Sequence, residues 1–400
     1  RLRVTLSDGR GEILTAESLA DLDLAPHVIL PIPADRRRLW SIDDPHLYDL
    51  QIELVDADGQ VIDRAQSYAG LRSVAIDGKA ININGETVFQ RLVLDQGYYP
   101  DGILTAPSDE ALQRDITLSQ EAGFNGARLH QKVFEERFLY HADRLGYIVW
   151  GEFADWGCGR YGPTDGEHQL PGPDYITQWL EVLARDYSHP SIVGWCPLNE
   201  TWQVLLDRIT ALDDVTRGMF LATKAMDATR PVLDTSGYSH RVPETDVYDS
   251  HDYVQDPERF RARHAGLATG APYVNAPAQW DVPARFGGDM AWSIPYRGQP
   301  YFVSEFGGIW WNPDAREGED SWGYGERPKT IEEFYDRFEK LCAILLDDPN
   351  MFGYCYTQLT DVLQEQNGIY RYDRSVKFDM ERVRAAQQRP AAIEQAAAST

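Results

Sequence analysis

The sequence predicts an α/β protein: a (β/α)8 barrel over residues 75–390, preceded by a small immunoglobulin-like β-sandwich over 1–74 and followed by a short tail, 391–400. Three observations predict this. Residues 1–74 alternate apolar and polar side chains between turn signals, with no helical period. From residue 75 onward, eight strand-like apolar runs alternate with amphipathic helix patterns over roughly 300 residues, the size of such a barrel with insertions. Carboxylates, amides and imidazoles gather where those runs end, and a barrel carries its chemistry at the carboxyl ends of its strands.

In the first region residues 2–6 alternate, Ala25-Pro-His-Val-Ile-Leu30 is apolar, and Leu50-Gln-Ile-Glu-Leu-Val55 alternates up to an Asp56-Ala-Asp-Gly59 turn. Residues 61–68 then read as the returning strand of a hairpin. Short strands of this kind, with no catalytic grouping among them, fit an immunoglobulin-like sandwich, whole or partial.

The barrel opens with a strand-like stretch, 80–94, around an Asn84-Gly85 turn. Ser108 caps a helix with Leu112, Ile116 and Ala122 on one face, and Gly123 stops it. Residues 124–130 form the second strand, and Phe134, Phe138, Ala142 and Leu145 mark a helix closed by Gly146. The third strand is 147–152. Ile176, Trp179, Leu183 and Tyr187 form the next helix stripe, and the fourth strand runs from His189 to Glu200. Residues 231–235, 247–253, 301–305 and 352–357 supply the remaining four strands. Thr330 and Glu333, in capping-box spacing, open the helix between the last two. The longest insertion, 255–300, is rich in Pro, Gly, Tyr and Trp and is expected in the wall or lid of the pocket.

Thirty-eight Lys and Arg against 63 Asp and Glu leave a net charge of −25. Such a surface repels nucleic acid and anionic lipid, which removes both as partners. No apolar run reaches membrane-spanning length. Cys158, Cys196, Cys342 and Cys355 are scattered without a CxxC pair, against a zinc site and a disulfide scaffold, and are expected reduced and buried. No metal or other cofactor is expected. Arg1-Leu-Arg-Val-Thr-Leu6 starts as if within a strand, so the chain reads as part of a longer protein. Its location, cytoplasmic or secreted and periplasmic, and its oligomeric state are left open.

The chemistry is expected around two carboxylates. Trp195-Cys-Pro-Leu-Asn-Glu200 presents an amide beside a carboxyl, and burial at the mouth of a strand can raise that carboxyl's pKa so that it delivers a proton. Tyr301-Phe-Val-Ser-Glu305-Phe-Gly-Gly308 supplies a second, and strands four and seven face each other across an eight-stranded barrel. Two carboxyls over a sugar-sized gap can cleave a glycosidic bond. A separation of about 5–5.5 Å implies double displacement through a covalent intermediate, and about 6.5–9.5 Å implies inversion by water.

Asn199 is expected to bind the hydroxyl beside the reacting carbon, a contact that strengthens in the transition state. Arg128 is a counter-charge for Glu305 or, alternatively, a partner of Glu152, Tyr253 is placed to donate to Glu305, and both are also candidates for sugar contact. Asp95, Gln96, His130, His251 and Gln358 are further candidates for sugar contact, with core or supporting roles as the alternative for the two histidines. Of Trp150, Trp156, Trp202, Trp292, Trp310 and Trp311, two or three are expected to line the pocket, with Trp310-Trp311 the best-placed platform.

These segments resemble glycoside hydrolase family 2 over almost the whole chain. Leu39-Trp-Ser-Ile-Asp-Asp-Pro-His-Leu-Tyr48 is similar to the family's LWSPENPxLY segment, and Gly70-Leu-Arg-Ser-Val74 to its GFRxV entry to the barrel. Asn84-Gly85, Gly123-Phe-Asn-Gly-Ala-Arg128, Asp143-Arg-Leu-Gly-Tyr-Ile-Val-Trp-Gly-Glu152 and the run from His189 to Glu200 follow in family order. The resemblance implies a retaining glycosidase acting on terminal sugars, with Glu200 as acid/base and Glu305 as nucleophile, in a divergent bacterial branch. It also implies an amino-terminal jelly-roll domain absent from this chain.

Three segments depart from the better-known members. Gln90-Arg-Leu-Val-Leu-Asp-Gln-Gly-Tyr-Tyr-Pro-Asp-Gly102 replaces an RGxNRHE-like segment, Arg128-Leu-His-Gln-Lys132 replaces RTSHYP, and Tyr354-Cys-Tyr-Thr-Gln-Leu-Thr-Asp361 lacks the expected Trp. The sugar is therefore not implied. A β-galactosidase-like enzyme is the leading expectation, an α-L-arabinofuranosidase or β-galactofuranosidase the second, and a carbohydrate-binding protein without turnover the third.

Overall fold

The computed structural model describes residues 1–21, 25–157, 172–201, 203, 205, 211–276, 290–314 and 320–397. The amino-terminal region builds a four-stranded antiparallel sheet from β1 (Leu2–Asp8), β2 (Gly11–Ser18), β3 (Tyr48–Val55) and β4 (Val61–Ala69), in the order β2-β1-β3-β4. The strands alternate as their sequence implies: Val4 and Leu6 of β1 are buried while their neighbours are part-exposed. The apolar run 25–30 is not a strand. Pro26, Pro31 and Pro33 remove backbone donors, and Ile29 is 83% exposed.

The stretch 80–94, expected as the opening strand of the barrel, holds three strands. Strands β5 (Val74–Asp77), β6 (Ala80–Ile83) and β7 (Glu86–Thr87) form a small antiparallel sheet, and the first barrel strand is β8 (Gln90–Asp95). Asp143 ties the amino-terminal domain to the barrel. Its carboxylate accepts from Tyr68 Oη at 2.8 Å and meets His189 Nδ1 at 2.6 Å, and its carbonyl accepts from the Trp40 indole at 2.7 Å.

The barrel is a curled parallel sheet. Its order joins β8 to β9 (Gly126–Leu129), β10 (Ile148–Glu152) and β11 (Ile192–Cys196) on one side, and to β14 (Met351–Thr357), β13 (Tyr301–Gly307) and β12 (Tyr248–Asp252) on the other. The expected fifth strand, 231–235, holds its place without a regular ladder. Its backbone bonds to β11 and its continuation through Leu233 N to Trp195 O (3.0 Å) and Ser236 N to Leu198 O (2.8 Å). Toward β12 and the residues leading into it, one backbone bond, Asp246 N to Val232 O at 3.1 Å, is joined by side chains, with Asp234 N donating to Thr245 Oγ1 and Gly237 N to the Asp249 carboxylate.

Helices α1 (Asp109–Glu121), α2 (Glu136–Leu145), α3 (Pro173–Asp186), α4 (Ala211–Met226), α5 (Pro257–His264) and α6 (Ile331–Leu346) follow the strands. Ser108 Oγ accepts from Ala111 N and Thr330 Oγ1 from Glu333 N. Glu333 bonds Lys329 N rather than the cap's own N–H. Two further helices, α7 (Met380–Gln387) and α8 (Ala392–Ala397), end the described chain. Residues 392–397, expected as tail, therefore dock on the barrel, where Glu394 accepts from Arg91 Nη2 at 2.9 Å and from Phe89 N at 2.9 Å.

Trp150 stacks on Phe302 at 5.5 Å inside the barrel, and its indole donates to Gln90 Oε1 at 2.7 Å. This aromatic layer fills the interior beneath the polar mouth. Cys196, Cys342 and Cys355 are buried free thiols; Cys158 lies outside the described residues. No described helix is long and apolar enough to cross a membrane.

Candidate active site

Glu200 lies four residues past the end of β11, on a turn rather than in a strand, with φ at +49°. A left-handed backbone is unfavourable by about 1–2 kcal/mol for a non-glycine residue. Glu200 N donating to Ser236 O at 2.9 Å helps hold it there. Gly157 makes room: a Cβ at that position would stand 2.9 Å from the Glu200 carbonyl oxygen. Glu305 belongs to β13, and the pairing of β13 with β14 shifts register between Val303 and Phe306. Such an irregularity re-aims a side chain. One oxygen of Glu305 comes within 4.8 Å of one of Glu200.

The imidazole of His251 joins them. Its Nδ1 stands 2.8 Å from Glu200 Oε1 and 3.3 Å from Glu305 Oε2, and its Nε2 stands 2.8 Å from Ser236 Oγ. Burial opposes charge on the ring, but Glu305 and Glu200 outweigh it and raise the pKa of His251. The expected raised pKa of Glu200 is not found. Burial does push it up, yet the His251 bond, with His130 and Arg128 beyond, leaves it below the ordinary carboxylate value. The two shifts run in the direction that favours an ionised Glu200 beside a charged His251.

Beneath this trio His240 bridges Asp234 (2.9 Å) and Asp249 (3.1 Å). Burial disfavours its charge, but the two aspartates push its pKa up to about 10. Asp249 in turn accepts from Ser236 and Ser304. These buried polar side chains form one satisfied chain down to the floor of the site.

Arg128 is fully buried and shows both expected partnerships at once. Its guanidinium pairs with Glu152 Oε1 at 2.5 Å and Glu305 Oε1 at 3.2 Å, and Nη2 donates to Asn199 Oδ1 at 3.1 Å. It sits behind the carboxylates, so the expectation that it touches substrate is replaced by a positioning role. Asn199 N donates to Asp155 Oδ2 at 2.9 Å, and burial pushes the Asp155 carboxyl up to about 7. With its carbonyl held by Arg128, Asn199 keeps a buried Nδ2 that has no partner among the described residues. An unmade buried donor is costly and marks a place for a ligand acceptor.

Tyr253 Oη donates to Glu305 Oε2 at 2.5 Å, and its ring stacks at 3.5 Å on Tyr324, a pocket residue with no signal in the sequence pattern. His130 Nε2 lies 3.8 Å from Glu305 Oε1. Gln96 and Gln358 are joined, Nε2 to Oε1, at 2.7 Å. Asp95 is not in the pocket. Gln90 faces the barrel interior, so alternation along β8 turns Asp95 outward to α1, where burial and Asp115 push its carboxyl up to about 7.

Trp150 belongs to the core, Trp292 is buried against Tyr238, Trp156 is 56% exposed and Trp202 lies outside the described residues. Trp310 and Trp311 are partly buried, and both indole nitrogens lack partners among the described residues. Trp311 N donates to Gln366 O at 3.0 Å, which joins the loop after β13 to the loop after β14. Within the 255–300 insertion, Asn275 brackets His251 by accepting from its N–H and donating to its carbonyl. Residues 277–289 lie outside the described residues.

Among the described residues, Glu200, His251 and Glu305 are the group of three whose spacing would also admit a cation. His251 Nδ1 lies between the two carboxylates.

Comparison with known proteins bears on the family and the fold. A model described as Glycosyl hydrolases family 2 matches residues 1–72, and one described as Glycosyl hydrolases family 2, TIM barrel domain matches residues 105–265. A β-galactosidase of Lactococcus lactis is 27% identical over 216 residues, 53% of this chain and 20% of that protein. A β-glucuronidase of Paenibacillus borealis is 29% identical over 180 residues, 42% of this chain and 29% of that protein. The chain thus spans under a third of the length of these relatives. Among solved structures, a β-D-glucuronidase of Dictyoglomus thermophilum superposes with a TM-score of 0.71 at 17% identity, covering 98% of this chain and 64% of that one. A β-galacturonidase from Eisenbergiella tayi gives 0.67 at 20% identity, covering 97% and 66%. At these identities the likeness concerns the fold.

Proposed function

The chain belongs to glycoside hydrolase family 2, and on that premise we propose that it carries the catalytic centre of a retaining glycosidase that removes terminal sugars. The observation that supports the reading is that one oxygen of Glu200 lies within 4.8 Å of one of Glu305, an approach nearer to the spacing of about 5–5.5 Å used for double displacement than to the wider gap of inversion.

Glu305 attacks the anomeric carbon while Glu200 protonates the departing oxygen. Glu200, then a base, takes a proton from the water that releases the sugar. The Nδ1 proton of His251 passes to Glu200 Oε1 across their 2.8 Å contact as the leaving group displaces water from the pair. Arg128 and Tyr253 hold the two oxygens of Glu305 in line, and Asn199 Nδ2 donates to the hydroxyl next to the anomeric carbon.

A β-galactoside-like substrate is favoured by the L. lactis relative, and furanosides by the departures in the sugar-binding segments. Incubating the intact protein with nitrophenyl pyranosides and furanosides tests the reading. Hydrolysis lost in Glu200→Gln together with Glu305→Gln supports it, whereas hydrolysis that survives both changes, or binding without any turnover, overturns it.

A further inference from the structure

Two loops meet behind the tyrosine that bonds Glu305, and one amide ties them together. Gln255 stands two residues past Tyr253 in the loop after β12, and its side chain is buried. Its Nε2 donates to Gly307 O, at the end of β13, at 2.9 Å and to Tyr324 O at 2.5 Å. Its Oε1 accepts from Arg337 Nη1 at 2.9 Å. Arg337, on α6, is fixed in turn by donating to Glu326 O at 2.6 Å and to the Glu333 carboxylate. The amide oxygen thus meets a group that can only donate, and the amide nitrogen meets two that can only accept.

Close backbone approach makes the clamp tight. A Cβ on Gly325, where φ is +68°, would stand 2.8 Å from Gln255 Cδ. At Gly308, where φ is +56°, a Cβ would overlap the ring of Tyr324. That ring therefore packs directly on the second glycine of Glu305-Phe-Gly-Gly308, whose carbonyl accepts from Tyr324 N at 2.9 Å. Held in this way, Tyr324 lies 3.5 Å from the ring of Tyr253 and within 4° of parallel. Tyr253 then donates from Oη to Glu305 Oε2 at 2.5 Å and stands 3.2 Å from Thr357 Oγ1. Gln255 grips the backbone at Gly307, two residues past Glu305, and at Tyr324 itself.

Resting on the glycosidase reading above, we propose that Gln255 is a positioning residue for the reaction: anchored by Arg337, it fixes Tyr324 as the flat wall against which Tyr253 aims its hydroxyl at the nucleophile Glu305. A misplacement of about 1 Å caused away from the chemistry can cost about 100-fold in rate. Because Gln255 acts through the two tyrosines, its loss slows turnover more than it weakens binding.

The test is a double-mutant cycle on kcat of the intact protein with the nitrophenyl glycoside it hydrolyses best. Gln255→Met keeps the length of the side chain without its donors, and is expected to lower kcat by about 10-fold or more while KM changes by less than about threefold. Gln255→Glu keeps an acceptor for Arg337 but not the two donations, and is expected to fare no better. In a Tyr253→Phe background the same changes should cost less than about threefold, because the hydroxyl they aim is gone. Full kcat in folded Gln255→Met, recovery in Gln255→Glu, or an undiminished loss on top of Tyr253→Phe overturns the proposal. If the Gln255 variants fail to fold, Tyr324→Leu takes their place in the cycle: a loss of about 10-fold that nearly vanishes in Tyr253→Phe is expected, and equal losses in both backgrounds contradict the assignment. Hydrolysis by the unaltered protein with equal losses in both backgrounds defeats this inference alone. No hydrolysis of any glycoside by the unaltered protein defeats the glycosidase reading and this inference with it.

Discussion

His251 Nδ1 lies 2.8 Å from Glu200 Oε1, and the two groups titrate in opposite directions: the imidazole is raised and the carboxyl lowered. Both shifts favour the proton on the ring over the carboxyl. The groups facing that ring include Glu200, Glu305, Ser236, the edge-packed ring of Tyr238 and, through Ser236, Asp249.

The first prediction concerns pH. A proton on an imidazole raised from its ordinary value persists to higher pH than one on a carboxyl starting near 4.5. His251→Asn should lower kcat/KM at neutral pH by about 100-fold and move the basic limb of the profile to lower pH. A profile that keeps its shape while the rate falls would assign His251 to packing alone.

Asn199 offers a second test, through its unpartnered Nδ2. Asn199→Ala should cost about 100- to 1000-fold in kcat, as removal of a transition-state donor does elsewhere. On a 2-deoxy glycoside the difference between the protein and this variant should shrink toward the loss due to Arg128 alone. An undiminished difference on that substrate would mean that Asn199 acts only through Arg128.

A third prediction separates structure from catalysis. Arg128 is fully buried between Glu152 and Glu305. Arg128→Met strands two buried carboxylates and should lower unfolding stability by about 3–5 kcal/mol in urea, with activity lost as well. Arg128→Met combined with Glu152→Leu should recover part of the stability but not the activity.

The fourth follows from His240. Its folded pKa is raised above the unfolded value, so the stabilisation it contributes is fully present below about 6.5 and is lost as pH rises through about 10. Thermal melts of the protein should therefore decline across that window, and His240→Gln should flatten the decline while lowering stability at pH 6.

Much of this site could be read from the chain because apolar runs end on Glu305 and just before Asn199 and Glu200, and a barrel collects strand ends at one mouth. The protonation of Glu200 could not, since His251 is 51 residues away and its approach depends on strand five, which bonds to β12 through Thr245 and Asp249 side chains rather than by a ladder. Asp95 was misplaced by looking at the end of a strand without its alternation. Gln90 and Gln96 share the inward face, and Asp95 lies on the other. Tyr324 sits in a loop whose pairing, Trp322 with Glu365, joins segments from different barrel strands and leaves no periodic trace. The run 25–30 reads as a strand by hydropathy and fails as one because Pro26 within it, and Pro31 and Pro33 just after it, cannot donate.

The division of labour between the two carboxylates is tested most directly by rescue with azide. Glu305→Gly should lose turnover and regain it with azide, yielding a glycosyl azide whose anomeric configuration is opposite to that of the substrate. Glu200→Ala, given a substrate with a good leaving group, should yield with azide a product of retained configuration. An inverted azide from Glu200→Ala and none from Glu305→Gly would contradict the assignment of Glu305 as nucleophile and Glu200 as acid.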